Sequence, residues 1–337
     1  MATTLVIRLS SLGDVAIAVP VLYSVAKKYP DDHFLLLTQS AWQPLFVNKP
    51  SNLTVIPVHT KDRHKGIGGI IRLLRELSPA VSGKELKVAD LHGVIRSFFI
   101  DCRFWFKGCP VAIIDKGRKE KRKLVRKNCK TMQPLKKSAD RYRDVFEKLG
   151  YDSTLCFTGL FSEKPAKEQI RIGIAPFAKH KGKMYPFESM EEVVCRLNEL
   201  PNIQIILWGN KKEGKLLERW TEKYGNTISV AGQMPLHEEL LLMNQMDLMV
   251  SMDSANMHLA SLVNTPVISI WGATHPYAGF YGFNQSESNI IQTDLPCRPC
   301  SVFGNKPCFR NDYACLKDIT PERIAEKITD FLKKNKP

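Results

Sequence analysis

The residues from Asp247 to Trp271 (DLMVSMDSANMHLASLVNTPVISIW) constrain the fold more than any other part of the chain. A short apolar run through Ser251 is followed by a polar turn at Asp253, a helix-like run, and a second apolar run that begins at Thr265. Strand, turn, helix and strand in this order form the repeating unit of a parallel α/β sheet. We therefore predict an α/β protein in which this turn lies at the carboxyl end of a strand, where such sheets bind ligands.

The polar turn indicates how a ligand is held there. The free N–H groups and the positive dipole end of a helix N-terminus attract anions, and a carboxylate beside them can accept hydrogen bonds from sugar hydroxyls. Asp253, Ser254 and Asn256 would then bind an activated sugar from both of its ends. The simpler interpretation is that Asp253 only caps the helix, and the local sequence leaves both open.

Length and charge narrow the classes of function. The 337 residues predict about two domains, no apolar run reaches the roughly 18 residues of a membrane helix, and the start of the chain lacks signal-peptide features. We therefore expect a cytoplasmic protein. The net charge is +15, and 13 Lys or Arg against 2 acidic residues lie between Lys116 and Arg143. Such a segment predicts a polyanionic partner, which is nucleic acid, an anionic membrane face or a phosphorylated substrate.

Apolar runs recur along the chain as two separate α/β series. They lie at residues 3–9, 33–38, 53–58, 86–90 and 111–115, and then at 171–175, 203–208, 227–230, 247–251 and 265–271. A polar, Pro-containing stretch over 162–169 separates the two series and is typical of a linker. We predict two Rossmann-like domains, over 1–161 and 170–320, that face a central cleft, followed by a C-terminal helix over 321–337. Neither a dinucleotide fingerprint nor a P-loop motif occurs, so nicotinamide chemistry and P-loop phosphoryl transfer lose support.

Three stretches at predicted strand ends carry candidate site residues. Asp14 follows the first strand and either caps the next helix or accepts a proton from a substrate hydroxyl, which requires a carboxylate with no permanent cationic partner. The loop after the strand at 171–175 contains four potential cations between Lys179 and Lys183, which can neutralise a diphosphate leaving group without a metal. Glu213, in the first turn of a later helix, either accepts hydrogen bonds from a ribose diol or interacts with the helix dipole.

The nine cysteines fit a reducing compartment better than a disulfide framework. Four of them cluster near the C-terminus as Cys297, Cys300, Cys308 and Cys315. Four thiolates at such spacings can close a tetrahedral zinc site, but the second pair is not C-x-x-C. Buried or merely neighbouring thiols are the competing interpretation.

Seven short motifs, in this order and at these spacings, resemble the heptosyltransferase family, glycosyltransferase family 9, over essentially the whole chain. They are R-L-S-S-L-G-D-V (Arg8 to Val15), D-L-H-G (Asp90 to Gly93), D-K-G-R (Asp115 to Arg118), K-M-Y-P (Lys183 to Pro186), W-G-N-K-K-E (Trp208 to Glu213), M-D-S-A-N-M-H-L-A (Met252 to Ala260) and W-G-A-T (Trp271 to Thr274). The resemblance implies a GT-B fold and inverting transfer of a heptose from ADP-heptose to the lipopolysaccharide inner core. It implies neither a cofactor nor a metal.

The resemblance also implies roles for individual residues. Asp14 matches the general base that deprotonates the acceptor hydroxyl. The donor-binding residues expected from the motifs and the cationic loop are Lys179, Lys183, Glu213, Asp253, Ser254, Ala255, Asn256 and His258. The basic segment would approach an acidic, lipid-linked acceptor and the anionic membrane face, with Lys116, Arg118, Lys119, Lys121 and Arg122 as acceptor-binding residues.

Two alternatives stay open at this point. A nucleic-acid-binding protein would use the basic 116–143 segment to bind phosphates, although Tyr142 is its only aromatic residue for stacking on bases. A glycosyltransferase of the same fold could use another nucleotide sugar, because Met184-Tyr185 stands where family members often have His-Trp. We expect the sugar transferase, cytoplasmic and peripheral at the inner face of the membrane, with no nucleic-acid partner.

Overall fold

The structure, a computed structural model, describes residues 1–81 and 85–335. It divides into two compact units. Unit 1 comprises the described residues of Met1–Gly117 and Lys136–Leu160, and unit 2 comprises those of Arg118–Leu135 and Phe161–Pro337. Residues 336 and 337 of the predicted C-terminal segment lie outside the described residues. No helix within the described ranges is both long and apolar enough to cross a membrane.

Unit 1 contains a five-stranded parallel sheet. Its strands are β1 (Ala2–Ile7), β2 (His33–Gln39), β3 (Leu53–Val58), β4 (Glu85–Asp90) and β5 (Val111–Ile113), in the spatial order β3-β2-β1-β4-β5. Its helices are α1 (Leu12–Lys28), α2 (Gly66–Val81), α3 (Ile95–Trp105) and α5 (Ser138–Lys148), while α4 (Arg118–Leu124) belongs to unit 2. The strand order reverses between β1 and β4, and sheets of this type bind ligands at such a reversal.

The central position of β1 follows from its sequence. All six residues of β1 are buried, as expected for an apolar strand covered on both faces. The register places Ile7 beside Asp90 at the carboxyl ends of β1 and β4. Side chains that follow these two strands, at Arg8 and beyond and at Leu91 and beyond, are therefore brought close together.

Unit 2 contains a six-stranded parallel sheet. Its strands are β6 (Ile170–Ala175), β7 (Ile203–Leu207), β8 (Thr227–Ser229), β9 (Leu248–Met252), β10 (Val267–Trp271) and β11 (Ile290–Gln292), in the spatial order β11-β10-β9-β6-β7-β8. Its further helices are α6 (Phe187–Asn198), α7 (Lys211–Lys223), α8 (Leu236–Asn244), α9 (Ala255–Leu262), α10 (Ala314–Lys317) and α11 (Pro321–Lys334). The reversal here lies between β6 and β9, where Ala175 pairs with Ser251.

The predicted strands agree closely with these elements, and the predicted C-terminal helix corresponds to α11. The stretch from Asp247 to Trp271 forms β9, α9 and β10, which confirms the strand, turn, helix and strand order. The sequence patterns did not predict α3, α4 or the short elements β11 and α10, because aromatic residues, dense charge or loop-like composition obscure their periodicity.

The structure differs from the predicted domain division at the basic segment. Residues 118–135 group with unit 2, whereas the sequence places them in the N-terminal domain. Leu124 is fully buried, the Lys121 ammonium lies 4.4 Å from the centroid of the Phe280 ring, and the Leu135 amide donates to the Tyr277 carbonyl at 2.9 Å. These contacts over long sequence separations, which charge patterning does not encode, hold the segment on unit 2.

Candidate active site

Asp14 lies in the first turn of α1, directly after the carboxyl end of β1. Its Oδ2 accepts hydrogen bonds from the Ser11 amide at 3.1 Å and the Ser11 hydroxyl at 3.0 Å. The Arg8 guanidinium forms an ion pair with the same oxygen at 2.6 Å. Asp14 therefore caps the helix and pairs with a cation at the same time, while its side chain stays 31% exposed.

This ion pair corrects one part of the sequence prediction. A general base was expected to have no permanent cationic partner, but Arg8 is 6% exposed and is held in place by a 2.7 Å hydrogen bond from its Nη1 to the Leu91 carbonyl. A fixed positive charge beside a carboxylate favours the ionised form. The carboxylate predicted to lack a cationic partner is therefore ion-paired at one of its oxygens.

His92 faces the same site from the end of β4. The buried Asp90 carboxylate accepts the His92 amide at 2.7 Å and the Gly93 amide at 2.9 Å, which shapes the turn, and Gly93 has a φ of +54° that favours glycine. The His92 Nε2 lies 3.2 Å from the Ser10 hydroxyl. Burial first, and then the charges of Arg8 and Lys116, lower the pKa of His92 to about 4. His92 is therefore a neutral hydrogen-bonding group at neutral pH.

Asp101 is a buried carboxyl group behind this turn, on the inner face of α3. It is 3% exposed, and neither of its oxygens accepts a hydrogen bond from the described residues. Burial first, and then the neighbouring Asp90, raise the pKa of Asp101 to about 8. The fold therefore holds the Asp101 carboxyl group in its neutral form at neutral pH.

We predict that Asp101→Asn flattens the pH dependence of stability. An unfolded aspartic acid ionises near pH 4, whereas folded Asp101 holds its proton to about pH 8, so the wild-type protein loses stability as the pH rises through this window. An asparagine has no proton to lose and stays neutral across this window. Thermal unfolding at pH 5 and pH 8 measures the effect. From pH 5 to pH 8, the free energy of unfolding of the variant relative to wild type is expected to increase by at least about 1 kcal/mol, which raises its relative thermal midpoint by about 2–4 °C.

The matched control for this prediction is Asp31→Asn at an exposed site. It should change the thermal midpoint equally at both pH values. A difference between Asp101→Asn and wild type that stays constant from pH 5 to pH 8 would show that Asp101 is ionised in the folded protein.

The turn after β9 in unit 2 contains a buried ion pair. The Lys183 Nζ lies 2.7 Å from the Asp253 Oδ2, and Asp253 is 4% exposed. The Thr274 hydroxyl donates to the same oxygen at 2.8 Å. Asp253 is thus engaged in holding the Lys183 ammonium, which is 15% exposed.

Two glycines allow the backbone around Lys183 to pack closely. The Ala273 amide donates to the Gly182 carbonyl at 2.7 Å, and a Cβ on Gly182 would lie 2.9 Å from the Ala273 Cβ and from the Gly304 oxygen. A Cβ on Gly304 would lie 2.6 Å from the Lys183 Cγ. The Lys183 stem therefore has little room to move away from Asp253.

The N-terminus of α9 is open beside this ion pair. Ser254 is the N-cap residue, but its side chain makes no capping hydrogen bond, and its hydroxyl lies 3.1 Å from that of Ser251. Ser254, Ala255 and Asn256 are partly exposed. The first amides of a helix with no side-chain cap can bind an anion. His258 is 7% exposed on the same helix, in the packed position that is usual for a helical histidine.

Glu213 forms a capping box at the start of α7. Its carboxylate accepts the Asn210 amide at 2.7 Å, and the Asn210 side chain accepts the amides of Lys212 and Glu213. This geometry explains the local sequence without a ligand. A role for the second Glu213 carboxylate oxygen in binding ribose is a proposal.

The cationic loop after β6 surrounds Lys183 with further positive charge. Lys179 and Lys181 are exposed, and Lys181 lies 5.2 Å from the centroid of the Tyr313 ring. Burial first, and then the charges of Lys179 and Lys183, lower the pKa of His180. Several cations in one short loop can stabilise a diphosphate.

Arg298 is a structural residue that the sequence patterns did not single out. It is 4% exposed and donates to the carbonyls of Gly272 and Thr274 at 2.5 and 2.9 Å and to the carbonyl of Thr293. Its guanidinium therefore fixes the loop that carries Thr274. A single arginine far along the chain gives no local signal of this kind.

The predicted acceptor-binding residues are divided between the two units. Lys116 lies in unit 1, where its Cε is 3.5 Å from the position of a Cβ on Gly93. The other four, on or at the start of α4 in unit 2, are Arg118, Lys119, Lys121 and Arg122. Lys121 is partly buried and the other three are exposed.

The cysteine cluster does not form a metal-binding arrangement. Cys300, Cys308 and Cys315 are buried, Cys297 is partly exposed, and all four thiols are free. Among residues 1–81 and 85–335, no three His, Cys, Asp or Glu side chains come together as a group that could hold a metal ion. The structure therefore favours the interpretation as neighbouring thiols.

The model of glycosyltransferase family 9 (heptosyltransferase) matches residues 121–307, which is more than half of the chain. The chain belongs to this family. It is 25% identical over 358 aligned positions to lipopolysaccharide heptosyltransferase 1 of Campylobacter coli, and the alignment covers 97% of this chain and 98% of that protein.

Solved structures show the same architecture for this family 9 member. The E. coli ADP-heptose LPS heptosyltransferase II has a TM-score of 0.69 and 19% identity, with complete coverage of both chains. The E. coli heptosyltransferase WaaC with ADP has a TM-score of 0.69 and 20% identity, with 98% of this chain and 99% of that chain covered. The fold is therefore GT-B, with two Rossmann-like units. Membership of family 9 makes the protein a glycosyltransferase of the heptosyltransferase type.

Proposed function

We propose that this protein is an inverting, metal-independent heptosyltransferase that moves a heptose from ADP-heptose to the lipopolysaccharide inner core. The observation that carries the proposal is the buried Lys183–Asp253 pair beside the open N-terminus of α9, at the strand-order reversal of unit 2. Ammonium group, helix amides and carboxylate together suit a sugar diphosphate. The names of the relatives, which describe lipopolysaccharide and ADP-heptose, supply the substrate class.

In the proposed reaction, unit 2 stabilises the leaving group. The acceptor oxygen forms a bond to the anomeric carbon as the bond from that carbon to the β-phosphate oxygen breaks, and ADP leaves with the electron pair. Lys183, the N-terminal amides of α9 at Ala255 and Asn256, and the exposed Lys179 balance the charge that develops on ADP. This set of cations and amides performs the role that a metal has in other transferases.

Unit 1 receives the proton in this proposal. The acceptor hydroxyl transfers its proton to the Asp14 carboxylate as the new bond forms. Arg8 occupies the Asp14 Oδ2, so the acceptor hydroxyl approaches the carboxylate beside this cation. His92 and Ser10, which lie 3.2 Å apart, are placed to orient a sugar hydroxyl through hydrogen bonds.

Basic residues that follow β5 are complementary in charge to an acidic acceptor. We propose that Lys116, Arg118, Lys119, Lys121 and Arg122 bind the phosphate or carboxylate groups of a lipid-linked inner core. Such an acceptor would bring the enzyme to the cytoplasmic face of the inner membrane. Membership of family 9 and the packing of residues 118–135 on unit 2 argue against the alternative of a nucleic-acid-binding module.

The decisive experiment measures ADP release from a panel of nucleotide sugars, with and without a lipid A core acceptor and in the presence of EDTA. We expect release from ADP-heptose that depends on the acceptor and survives EDTA, with an inverted anomeric linkage in the product by NMR. Faster acceptor-dependent turnover of another nucleotide sugar would replace the donor assignment. Loss of turnover in EDTA would contradict metal independence.

A further inference from the structure

Helix α3 in unit 1 carries two faces rich in apolar side chains, and only one of them is buried. The inner face consists of Ser97, Ile100, Asp101 and Phe104, which recur at helical spacing. Ile100 and Phe104 belong to the hydrophobic core of the unit. This face accounts for the packing of α3 on the sheet, and it leaves the opposite face without a role in the core.

The outer face of α3 carries large apolar side chains at the same spacing. Ile95 is 80% exposed, Phe98 56%, Phe99 42%, Trp105 63% and Phe106 78%. Positions i, i+3, i+4, i+10 and i+11 lie on one side of a helix. The Trp105 and Phe106 rings contact each other edge to face at 5.1 Å between centroids. A continuous exposed aromatic stripe of this kind marks an interaction surface.

One flank of this stripe is positively charged. Arg96, Arg103 and Lys107 recur at i, i+7 and i+11, which places them together beside the stripe. The sole acidic residue in the sequence 95–107 is Asp101, which is buried on the inner face. The neighbouring helix α2, which contacts α3, also exposes Ile67 and Ile71. The outer surface is therefore both aromatic and basic.

We propose that the outer face of α3, from Ile95 to Lys107, docks on the interface of an anionic lipid bilayer. Amphipathic helices with Trp and Phe on one face and Lys or Arg beside them lie in the headgroup region of such bilayers, and basic side chains add attraction to anionic lipids. A second copy of the chain fits less well, because a two-fold contact through this face would bring identical positive flanks together. The proposal rests on the proposed function for the membrane-linked acceptor.

Docking through α3 would orient the site of unit 1. Helix α3 begins two residues after Gly93, and the turn of His92 and Gly93 lies beside Ser10. A bilayer on the outer face of α3 would therefore be close to the turn that borders Asp14. A lipid-linked acceptor would then reach unit 1 without leaving the membrane surface.

Vesicle co-sedimentation at low salt tests the docking surface without any need for turnover. Wild-type protein is expected to bind vesicles of mixed phosphatidylglycerol and phosphatidylethanolamine, and to bind phosphatidylcholine vesicles weakly. Trp105→Ser combined with Phe106→Ser should weaken binding at least about tenfold. Arg103→Gln combined with Lys107→Gln should weaken binding to the anionic vesicles about fivefold for each charge removed. It should not change binding to the phosphatidylcholine vesicles.

The matched control is Leu216→Ser combined with Leu241→Ser, at apolar residues of unit 2 that are 44% and 47% exposed. It should bind vesicles as wild type does. Equal binding by the Trp105 and Phe106 variant would overturn the proposal. So would a wild-type dimer in sedimentation velocity that this variant abolishes, because the stripe would then belong to a second copy.

An activity assay with a water-soluble acceptor distinguishes docking through α3 from the proposed function. With a deacylated, water-soluble acceptor, the Trp105 and Phe106 variant should release ADP at the wild-type rate, since neither residue lies in the proposed site. Loss of vesicle binding with retained turnover supports docking through α3. If wild-type protein bound vesicles but turned over no sugar, the proposed function would be contradicted and docking through α3 would still be supported.

Discussion

Asp14→Asn is expected to lower kcat by about two to four orders of magnitude with the lipopolysaccharide acceptor, because an amide cannot accept the proton of the attacking hydroxyl. The fold should survive, since the asparagine Oδ1 can still accept the Ser11 amide that Asp14 now accepts at 3.1 Å. Steady-state ADP release measures the loss. Unchanged ADP binding by calorimetry would show that the donor site is intact.

Arg8 provides the matched control for this prediction. Arg8→Gln removes the cation 2.6 Å from the Asp14 carboxylate but leaves the carboxylate in place, so this variant should keep more turnover than Asp14→Asn. Arg8→Lys keeps the charge, and its turnover should stay closer to wild type than that of Arg8→Gln. If Asp14→Asn turned over within about threefold of wild type, the proton would have to go to another group, and the base assignment would fail.

Lys183→Met is expected to damage stability and catalysis together. It leaves the Asp253 carboxylate, 4% exposed, with the Thr274 hydroxyl but without its cation, and breaking a buried ion pair in this way costs about 3–5 kcal/mol. It also removes the cation nearest the proposed diphosphate site, which should lower kcat at least about a hundredfold. Urea unfolding and ADP release measure the two effects.

The double variant Lys183→Met with Asp253→Asn separates these effects. Neutralising Asp253 removes the unpaired charge, so most of the lost stability should return, while turnover should stay low because the cation is still absent. Lys181→Met, at an exposed lysine two positions earlier, should cost less than about 1 kcal/mol. Recovery of turnover in the double variant would mean that Lys183 acts only by satisfying Asp253.

Much of the fold could be predicted from local patterns. The runs that became β1 and β9 are mostly apolar and fully buried over six and five residues, and a polar turn with a potential cap follows each of them. Asp14 and Asp253 could therefore be placed at strand ends before any contact was known. The pairing of β1 with β4 and of β6 with β9 follows the usual strand-order reversal of such sheets.

The charges within the site could not be predicted in the same way. The sequence predicts Asp14 either as a helix cap or as a base without a permanent cationic partner, yet the turn after β1 brings Arg8 within 2.6 Å of it. The sequence predicts that Asp253 binds a sugar, yet its Oδ2 lies 2.7 Å from the Nζ of Lys183, which is seventy positions earlier in the chain. The distance between two charged groups depends on backbone geometry, and residue spacing alone does not determine it.

The sequence by itself determined the alternation of strands and helices, the family, and the positions of the candidate residues at strand ends, because hydrophobic periodicity and motif order are local properties. Only the tertiary structure decided which carboxylates are paired, that residues 118–135 belong to unit 2, and that the aromatic face of α3 stays uncovered. These outcomes depend on contacts between residues far apart in the chain. Their energies are set by burial and distance, and a linear sequence states neither.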